Sequence, residues 1–286
     1  LIFCLVPLYL RPMDGTAFTI ALAQMDVDIG VPEANVNRVH GFAAQAREAG
    51  SDLLVLPELW LHGYDLERAD EWAAPLDEDG FARMAALAQE FKLYLVGTLL
   101  ERHAGGVSNT AALYGPDGLL VGSYRKIHLF RLMGEHRYLV PGERTTLFPT
   151  PWGPTGIAIC YDLRFPELLR TMALAGATLI VVPAQWPEVR LEAWLTLARA
   201  RAIENELFIA ACNRVGEQKS SVFPGRSCIV DPLGKVLAEG DGREQLVTAQ
   251  IDLRQIGSAR RYLPIYDDRR PETYHVEGAA PLSVDG

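Results

Sequence analysis

The feature that most constrains the fold is an alternation of apolar runs with longer amphipathic segments, which occurs twice in the same order. The chain starts this pattern with the apolar run FTIALAQMD (18–26), the amphipathic segment 35–50 and a second apolar run at 52–58. Runs rich in apolar and β-branched residues predict strands, and an apolar period of 3.6 residues predicts helices. The alternation therefore predicts an α/β fold.

The two halves of the chain have predicted elements in matching order. The first half contains strand 18–26, helix 35–50, strand 52–58, helix 80–91, strand 93–101 and a hairpin over 109–130. The second half contains strand 155–162, helix 166–177, strand 178–186, helix 191–206, strand 207–216, a hairpin over 226–240 and strand 245–253. Uninterrupted apolar strands are typical of sheets covered on both faces. Two such sheets with helices outside predict a four-layer α-β-β-α sandwich.

The domain boundaries follow from composition. No linker rich in Pro, Gly or Ser separates the halves, so residues 16–258 are predicted to form a single domain. Residues 1–15 are predicted to be an N-terminal extension around a natural start at Met13, with a short anchoring segment or an added edge strand as alternatives. Their apolar stretch is too short to span a bilayer and lacks the features of a signal peptide. Residues 259–286 are predicted to be a C-terminal tail.

Charge and cysteine content limit the partners. A formal net charge of −9 gives no electrostatic footprint for nucleic acid or for an anionic membrane, although a local Arg cluster still suits a small anionic substrate. The cysteines Cys4, Cys160, Cys212 and Cys228 form no C-x-x-C pair, and no His cluster has zinc spacing. We therefore expect reduced thiols in a cytoplasmic protein, with Cys212 and Cys228 in the core.

Three chemically useful residues stand at the ends of predicted core strands, namely Glu58, Lys126 and Cys160. Each also has an ordinary interpretation: Glu58 as a solvated loop carboxylate, Lys126 as a surface lysine and Cys160 as a buried core thiol. In α/β proteins, however, sites lie beyond the carboxyl ends of strands, so the three side chains are expected to meet in one crevice.

A carboxylate, an ammonium and a thiol form a coherent catalytic set. A thiol attacks only after losing its proton, which Glu58 can accept, and a tetrahedral intermediate needs positive charge or N–H groups at its oxyanion. Lys126 and the backbone N–H of Tyr161 would supply these. The alternative is a Cys-His pair that uses His128 or His136, and His128 also has an interpretation as a pocket wall.

The surrounding motifs resemble those of the nitrilase superfamily, the carbon–nitrogen hydrolases. The matching stretches are LPELWLHGYD around Glu58, YRKIHLF around Lys126 and GIAICYDLRFPELLR around Cys160, in family order. The resemblance covers about residues 18 to 253 and implies an α-β-β-α sandwich of the nitrilase type, a Glu-Lys-Cys triad and no metal or other cofactor. It also implies a second, auxiliary catalytic glutamate, whose position is held by Glu135. Family members usually dimerise, so a homodimer or higher homo-oligomer is expected.

The motifs are most similar to those of the bacterial ω-amidase branch. That resemblance implies a hydrolase that releases ammonia through a thioester from a small carboxamide, such as the ω-amide of a dicarboxylic acid, for example 2-oxoglutaramate. Its partners would be the amide and water, without nucleic acid or membrane. Alternatives are an N-carbamoyl amidohydrolase, an aliphatic amidase, a nitrilase, acyl transfer to an amine, and a non-catalytic interaction protein.

A dicarboxylic mono-amide needs a cation for its distal carboxylate, and a bidentate Arg suits it best. The candidates are Arg131, Arg164 and Arg190, each with a structural ion pair as the alternative. Trp186, at the end of a predicted strand, is a candidate pocket wall with core or interface packing as alternatives. His128 completes the set of candidate substrate-binding residues.

Overall fold

The computed structural model describes residues 17–274, so the predicted extension 1–15 and residues 275–286 of the predicted tail lie outside the described residues. The strands are, in chain order, β1 (Ala17–Gln24), β2 (Leu53–Val55), β3 (Tyr94–His103), β4 (Gly106–Tyr114), β5 (Leu120–Arg125), β6 (Leu147–Phe148), β7 (Thr155–Ile157), β8 (Leu179–Ala184), β9 (Phe208–Asn213), β10 (Val215–Gln218), β11 (Ser221–Pro224), β12 (Cys228–Val230), β13 (Val236–Glu239) and β14 (Gln245–Asp252). The α-helices are α1 (Pro32–Glu48), α2 (Ala69–Trp72), α3 (Asp79–Phe91), α4 (Pro166–Leu174), α5 (Leu191–Asn205) and α6 (Arg254–Tyr262). Short 3₁₀ helices cover Leu66–Arg68, Arg131–Met133, Glu135–Arg137, Cys160–Arg164, Glu188–Arg190 and Pro271–Thr273.

The strands form two six-stranded sheets of equivalent topology. The first has the order β14-β1-β2-β3-β4-β5 and the second the order β6-β7-β8-β9-β12-β13. In each sheet three parallel strands, β1 to β3 or β7 to β9, are flanked by antiparallel strands on both sides. The tandem repeat predicted from the sequence is therefore confirmed.

The side chains of β1 show how the layers stack. Ile20 and Leu22 are fully buried in the core shared with the second sheet, whereas Ala21 and Ala23 pack in the cluster that contains α1 and α3. This follows from the alternation of side chains along a strand. Helices α4 and α5 cover the other face of the second sheet, through residues such as Leu169. The α-β-β-α sandwich is confirmed.

The predicted strand 155–162 is wrong at its C-terminal end. Strand β7 ends at Ile157, and a 3₁₀ turn begins at Cys160, whose φ is +46°. A left-handed residue cannot continue a strand. The Asp162 carboxylate stabilises the turn, because it accepts the Ile159 N–H at 2.9 Å.

Other boundaries also differ from the prediction. The predicted strand 207–216 is broken at Arg214, after which β10 leaves the sheet and pairs with β11. The predicted domain end at 258 falls inside α6, which buries Ile256 and Ala259 on one face. That apolar stripe is too narrow to stand out in an Arg-rich segment.

Within residues 17–274, no helix combines the length and the apolar character that crossing a bilayer requires. The predicted core positions of Cys212 and Cys228 are confirmed, since both are free thiols at 0% and 1% exposure.

Candidate active site

The two sheets bring the ends of four strands to one place. Glu58 follows β2 and Lys126 directly follows β5, while Cys160 and Gln185 follow β7 and β8. The Glu58 N–H donates to the Ala184 carbonyl of the second sheet at 3.4 Å, and the Lys126 N–H continues the β4–β5 ladder by donating to the Asn109 carbonyl at 2.9 Å. Backbone bonds therefore fix these side chains at the junction of the sheets.

Lys126 lies between two carboxylates. Its Nζ is 2.7 Å from Glu58 Oε1 and 2.6 Å from Glu135 Oε1, and all three side chains are fully buried. Burial disfavours the ammonium, but the charges of Glu135 and Glu58 outweigh it, so the pKa of Lys126 lies above its ordinary value. Lys126 is thus held as a cation, with one of its three N–H groups not used by these carboxylates.

Each carboxylate has further donors. Glu58 Oε1 also accepts from Asn109 Nδ2 at 2.8 Å, and Glu58 Oε2 accepts the Gln185 N–H at 3.1 Å. Glu135 Oε1 also accepts from Tyr64 Oη at 2.7 Å, and its Oε2 accepts the Phe130 N–H at 2.6 Å. Burial raises the pKa of Glu135 even though Lys126 acts against the rise. Burial and the charge of Glu135 raise the pKa of Tyr64, so its phenol remains a donor.

Cys160 is 6% exposed, and it lies close enough to Glu58, Lys126 and Glu135 for their charges to affect the pKa of its thiol. Burial raises the pKa of the Cys160 thiol well above its ordinary value, and the Glu58 carboxylate raises it further. The Lys126 ammonium and the Gln185 N–H act in the opposite direction. The thiol therefore rests in its neutral form and needs a base to become a nucleophile.

The backbone is left-handed at Cys160 and directly after Glu58. Cys160 has φ +46°, and Leu59, the residue after Glu58, has φ +44°. Such conformations cost free energy for residues other than Gly, and they cluster at functional sites. The Leu59 N–H is held by Thr98 Oγ1 at 2.7 Å, which compensates for part of that cost.

A small pocket opens over the Cys160 side chain. Its lining consists of Phe130, Cys160, Tyr161, Arg164, Gln185, Trp186, Pro187 and Arg190. The Arg164 guanidinium stacks over Trp186 at 4.8 Å from the ring centroid, and that of Arg190 stacks over Phe130 at 5.2 Å. Neither guanidinium forms a salt bridge within the described part of the chain, so the ion-pair alternative finds no support for these two.

Trp186 combines two of the interpretations made from sequence. It lines the pocket, and it also packs in the core at 5.5 Å between ring centroids from Trp194. Its Nε1 donates to the Arg190 carbonyl at 2.8 Å, which ties the pocket wall to the 3₁₀ helix at Glu188–Arg190.

The structure places Arg131 and His128 outside this pocket. Both line an adjoining groove, which His136 also lines. Arg131 is exposed there. The groove shares Phe130 and Tyr161 with the pocket, and the contact of Arg131 and His128 with a substrate stays a prediction. A 3₁₀ helix at Arg131–Met133 begins directly after Phe130 and sets the position of Arg131 in the groove.

His128 instead supports the turn that carries Cys160. Its Nδ1 lies 2.8 Å from Asp162 Oδ1, and its ring stacks on Phe165 with 3.5 Å between centroids. The Asp162 carboxylate is fully buried and also accepts from Tyr124 Oη at 2.8 Å and from the His128 N–H at 3.0 Å. His128 is therefore tied to the turn that carries Cys160 through Asp162 and Phe165.

Sequence reasoning missed Asn109, Gln185, Tyr64 and Asp162. Tyr64 and Asp162 lie inside the motifs quoted above, next to polar residues, which is a usable signal. Asn109 carries no such signal, because its neighbours in sequence are ordinary strand residues, whereas Gln185 directly follows β8 and shares the strand-end signal of Glu58 and Lys126. In residues 17–274, no group of three or more His, Cys, Asp or Glu side chains is arranged to hold a metal ion.

Comparison with known proteins relates this geometry to a family. Residues 19–261 match a family described as carbon-nitrogen hydrolase. The chain is 40% identical to the 2-oxoglutaramate amidase of Bacillus subtilis, with 90% of this chain and 99% of that protein covered. It is 33% identical to the human omega-amidase NIT2, with 93% and 100% covered. The crystal structure of Saccharomyces cerevisiae Nit3, a member of branch 10 of the nitrilase superfamily, superposes with a TM-score of 0.83 at 32% identity, with 89% and 97% covered.

Proposed function

This chain belongs to the carbon–nitrogen hydrolase family and is a hydrolase of non-peptide carbon–nitrogen bonds in linear amides, and we propose that its substrate is the ω-amide of a short dicarboxylic acid, such as 2-oxoglutaramate. One observation carries the substrate proposal. Arg164 and Arg190 line the same pocket as Cys160, and neither has a carboxylate partner within residues 17–274. The similarity to a 2-oxoglutaramate amidase and to an omega-amidase agrees with it.

We propose that Cys160 is the nucleophile and Glu58 the general base. Glu58 takes the proton of the Cys160 thiol, and the sulfur attacks the carbonyl carbon of the carboxamide. The raised pKa of Cys160 supports this assignment, because a neutral thiol depends on a base that lies within its own site. The remaining N–H of Lys126 and the backbone N–H of Tyr161 stabilise the oxyanion.

The tetrahedral intermediate then collapses. Glu58 gives its proton to the amide nitrogen, ammonia leaves, and the acyl group remains on Cys160 as a thioester. Glu58 next takes a proton from water, the hydroxide attacks the thioester, and the acid leaves as the proton returns to the Cys160 sulfur. Glu135 keeps Lys126 charged and oriented throughout, because its carboxylate accepts from Lys126 Nζ. The hydrogen bond from Tyr64 Oη holds the Glu135 carboxylate in place. No step needs a cofactor.

The distal carboxylate of the substrate would bind Arg164 and Arg190. Guanidinium groups stacked on Trp186 and Phe130 keep their donor edges free, and such edges match a carboxylate in a bidentate geometry. Two cations at this end of the pocket favour a 2-oxo acid over the corresponding 2-amino acid, whose ammonium they repel.

Ammonia release from 2-oxoglutaramate by the purified protein, compared with a Cys160→Ala variant, tests the proposal. We expect turnover by the wild type and none by the variant. Mass spectrometry of the wild type quenched with a panel of amides identifies the acyl group on Cys160 by its mass. Activity only on N-carbamoyl compounds, aliphatic amides or nitriles would contradict the ω-amide assignment and favour those alternatives.

We also propose that the enzyme acts in the cytoplasm as a homodimer or higher homo-oligomer. Exposed apolar side chains on the outer layer support a contact between copies, namely Leu174, Ile203 and Leu233, which are 46%, 48% and 67% exposed. Light scattering during size-exclusion chromatography tests the assembly, and a monomer at micromolar concentration would contradict it.

A further inference from the structure

The hydrogen bonds on the Glu58 carboxylate are distributed unequally between its two oxygens. Oε1 accepts from Lys126 Nζ at 2.7 Å and from Asn109 Nδ2 at 2.8 Å, whereas the only donor to Oε2 among residues 17–274 is the Gln185 N–H, at 3.1 Å. A carboxylate oxygen has two lone-pair positions. Both positions of Oε1 are therefore occupied, and one position of Oε2 is left to receive a proton.

Asn109 is bound to both members of the Glu58–Lys126 pair. Its side chain donates to the Glu58 carboxylate, and its backbone carbonyl accepts the Lys126 N–H at 2.9 Å. The orientation of the amide is fixed, because turning it over would place Oδ1 against Glu58 Oε1, with two acceptors facing each other.

The other end of the same amide has no partner. Asn109 is fully buried, and its Oδ1 has no hydrogen-bond donor within the described residues. Asn213 shows the opposite pattern, since its Oδ1 accepts the Trp186 N–H and its Nδ2 donates to the carbonyls of Trp186 and Gly225. A buried acceptor without a donor lowers stability. Asn109 therefore fits a functional requirement better than a structural one.

We propose that Asn109 is a positioning residue that occupies Glu58 Oε1, so that Oε2 is the oxygen that exchanges protons with Cys160, ammonia and water. Without the Asn109 donor, Oε1 gains an open lone-pair position, and a proton can settle on the oxygen that faces Lys126. Asn109 has this role only if Glu58 is the general base of the proposed function.

The chain supplies a matched control one residue away. Thr110 Oγ1 donates at 2.8 Å to Oε2 of Glu101, a buried carboxylate that is also bound by a cation, Arg125, at 2.6 and 2.7 Å. Thr110→Val thus removes a neutral donor from a buried, paired carboxylate on the same strand, but outside the site. It reports what the loss of such a bond does to stability alone.

The test compares Asn109→Leu, Asn109→Ser and Thr110→Val with the wild type. We expect both Asn109 variants to lose roughly 10- to 100-fold in kcat on 2-oxoglutaramate, the range of one hydrogen bond to a charged group. We expect KM to change little and the acid limb of the pH profile of kcat to move to higher pH, because a carboxylate that loses a donor holds a proton more readily. Asn109→Ser is the smaller change and serves if Asn109→Leu does not fold.

Thr110→Val is expected to melt at a lower temperature while keeping kcat and the pH profile. Unchanged kcat and pH profile in a folded Asn109 variant would overturn the proposal, as would the same kinetic changes in Thr110→Val. If the wild type releases no ammonia from any amide, the proposed function fails separately. The rate of Cys160 alkylation by iodoacetamide then decides, since we expect Asn109→Ser to react more slowly than the wild type at neutral pH, and equal rates contradict the role of Asn109.

Discussion

The Nζ of Lys126 lies 2.7 Å from Oε1 of Glu58, and both side chains are completely buried. A second carboxylate, Glu135, lies 2.6 Å from the same Nζ. The centre therefore holds two carboxylates against one ammonium, and all three side chains are shielded from bulk solvent. Breaking a buried pair costs more than forming it contributes, because the remaining charge has no partner. The side chains of the proposed catalytic centre therefore also affect the stability of the fold.

Lys126→Met is expected to lower the free energy of unfolding by about 3–5 kcal/mol, since it leaves Glu58 and Glu135 buried without a cation. Thermal denaturation measures the loss. The control is Arg125→Met on the neighbouring residue, whose side chain is 39% exposed, so that water reaches the pair it forms with Glu101. We expect a smaller loss there, and equal losses would contradict the account of the buried centre.

The loss in Lys126→Met is also expected to depend on pH. The pKa of Lys126 is raised in the folded protein, so its own contribution is fully present below the ordinary value of 10.5 and is lost as the pH rises through the folded value. The pKa of Glu135 is raised by burial, and without Lys126 this rise is larger. A carboxyl with a raised pKa binds a proton more tightly in the folded state, so stability falls as the pH rises above 4.5. The difference in the free energy of unfolding between the wild type and Lys126→Met should shrink as the pH falls from 8 to 5. A difference that grows as the pH falls would contradict this assignment.

Glu58→Gln is expected to lower kcat by roughly 10²- to 10⁴-fold, the usual contribution of a general base. Glutamine keeps the volume of the side chain and an acceptor for Lys126, but it cannot take the proton of Cys160. Ammonia release from 2-oxoglutaramate measures the loss. Glu101→Gln is the matched control, because Glu101 is a buried carboxylate outside the site that pairs with Arg125. A folded Glu58→Gln variant with the kcat of the control would exclude Glu58 as the base.

The layered fold was predictable because the apolar period is strong in most elements. Helix 80–91 and strand 52–58 correspond to α3 at Asp79–Phe91 and to β2 at Leu53–Val55. The segment around Cys160 was not predictable in the same way. Its residues favour a strand, but the bonds of Asp162 to Tyr124 and His128, 38 and 34 residues away, impose a turn. Tertiary contacts of this kind leave no periodic signal in the sequence.

The residues of the site were predictable to the extent that strand ends and motifs mark them. Glu58 and Lys126 were expected to meet, and they do, although their roles remain a prediction. Asn109 lies 51 residues from Glu58 in sequence, within a strand of ordinary composition, so only the sheet register shows their contact. Arg131 lines the adjoining groove and not the Cys160 pocket, because the turn after Phe130 depends on backbone geometry that a motif does not specify.

Arg164→Met is expected to raise KM for 2-oxoglutaramate roughly 10- to 100-fold, because a hydrogen bond to a charged group contributes about 1.5–3 kcal/mol. Activity on butyramide, which has no carboxylate, should change little. Arg199→Met is the control, because Arg199 lies on α5 and donates to the Gly234 carbonyl at 3.1 Å. Equal effects of Arg164→Met on both substrates would show that Arg164 supports the pocket without binding a carboxylate.

Asp162→Asn is expected to lower both stability and kcat. The Asp162 carboxylate accepts from the Ile159 N–H, the His128 N–H and Tyr124 Oη, and an amide replaces one of its acceptor oxygens with a donor. The donors left without a partner are buried, so the loss exceeds that of Tyr124→Phe, which removes one of these bonds. Thermal denaturation and ammonia release compare the two variants, and a larger loss in Tyr124→Phe would contradict the role of Asp162.

The left-handed backbone at Cys160 predicts that replacing Ala by Gly raises stability at position 160 and lowers it at position 212. Cys160 has φ +46°, a conformation in which any side chain is strained and Gly is not. Cys160→Gly is therefore expected to be more stable than Cys160→Ala by roughly 0.5–1 kcal/mol. Cys212 is equally buried but lies within β9 and has no positive φ, so there Cys212→Gly is expected to be less stable than Cys212→Ala by a similar amount. Chemical denaturation of the four variants measures both differences. The same order at both positions would show that the turn at Cys160 relaxes in solution and stores no strain there.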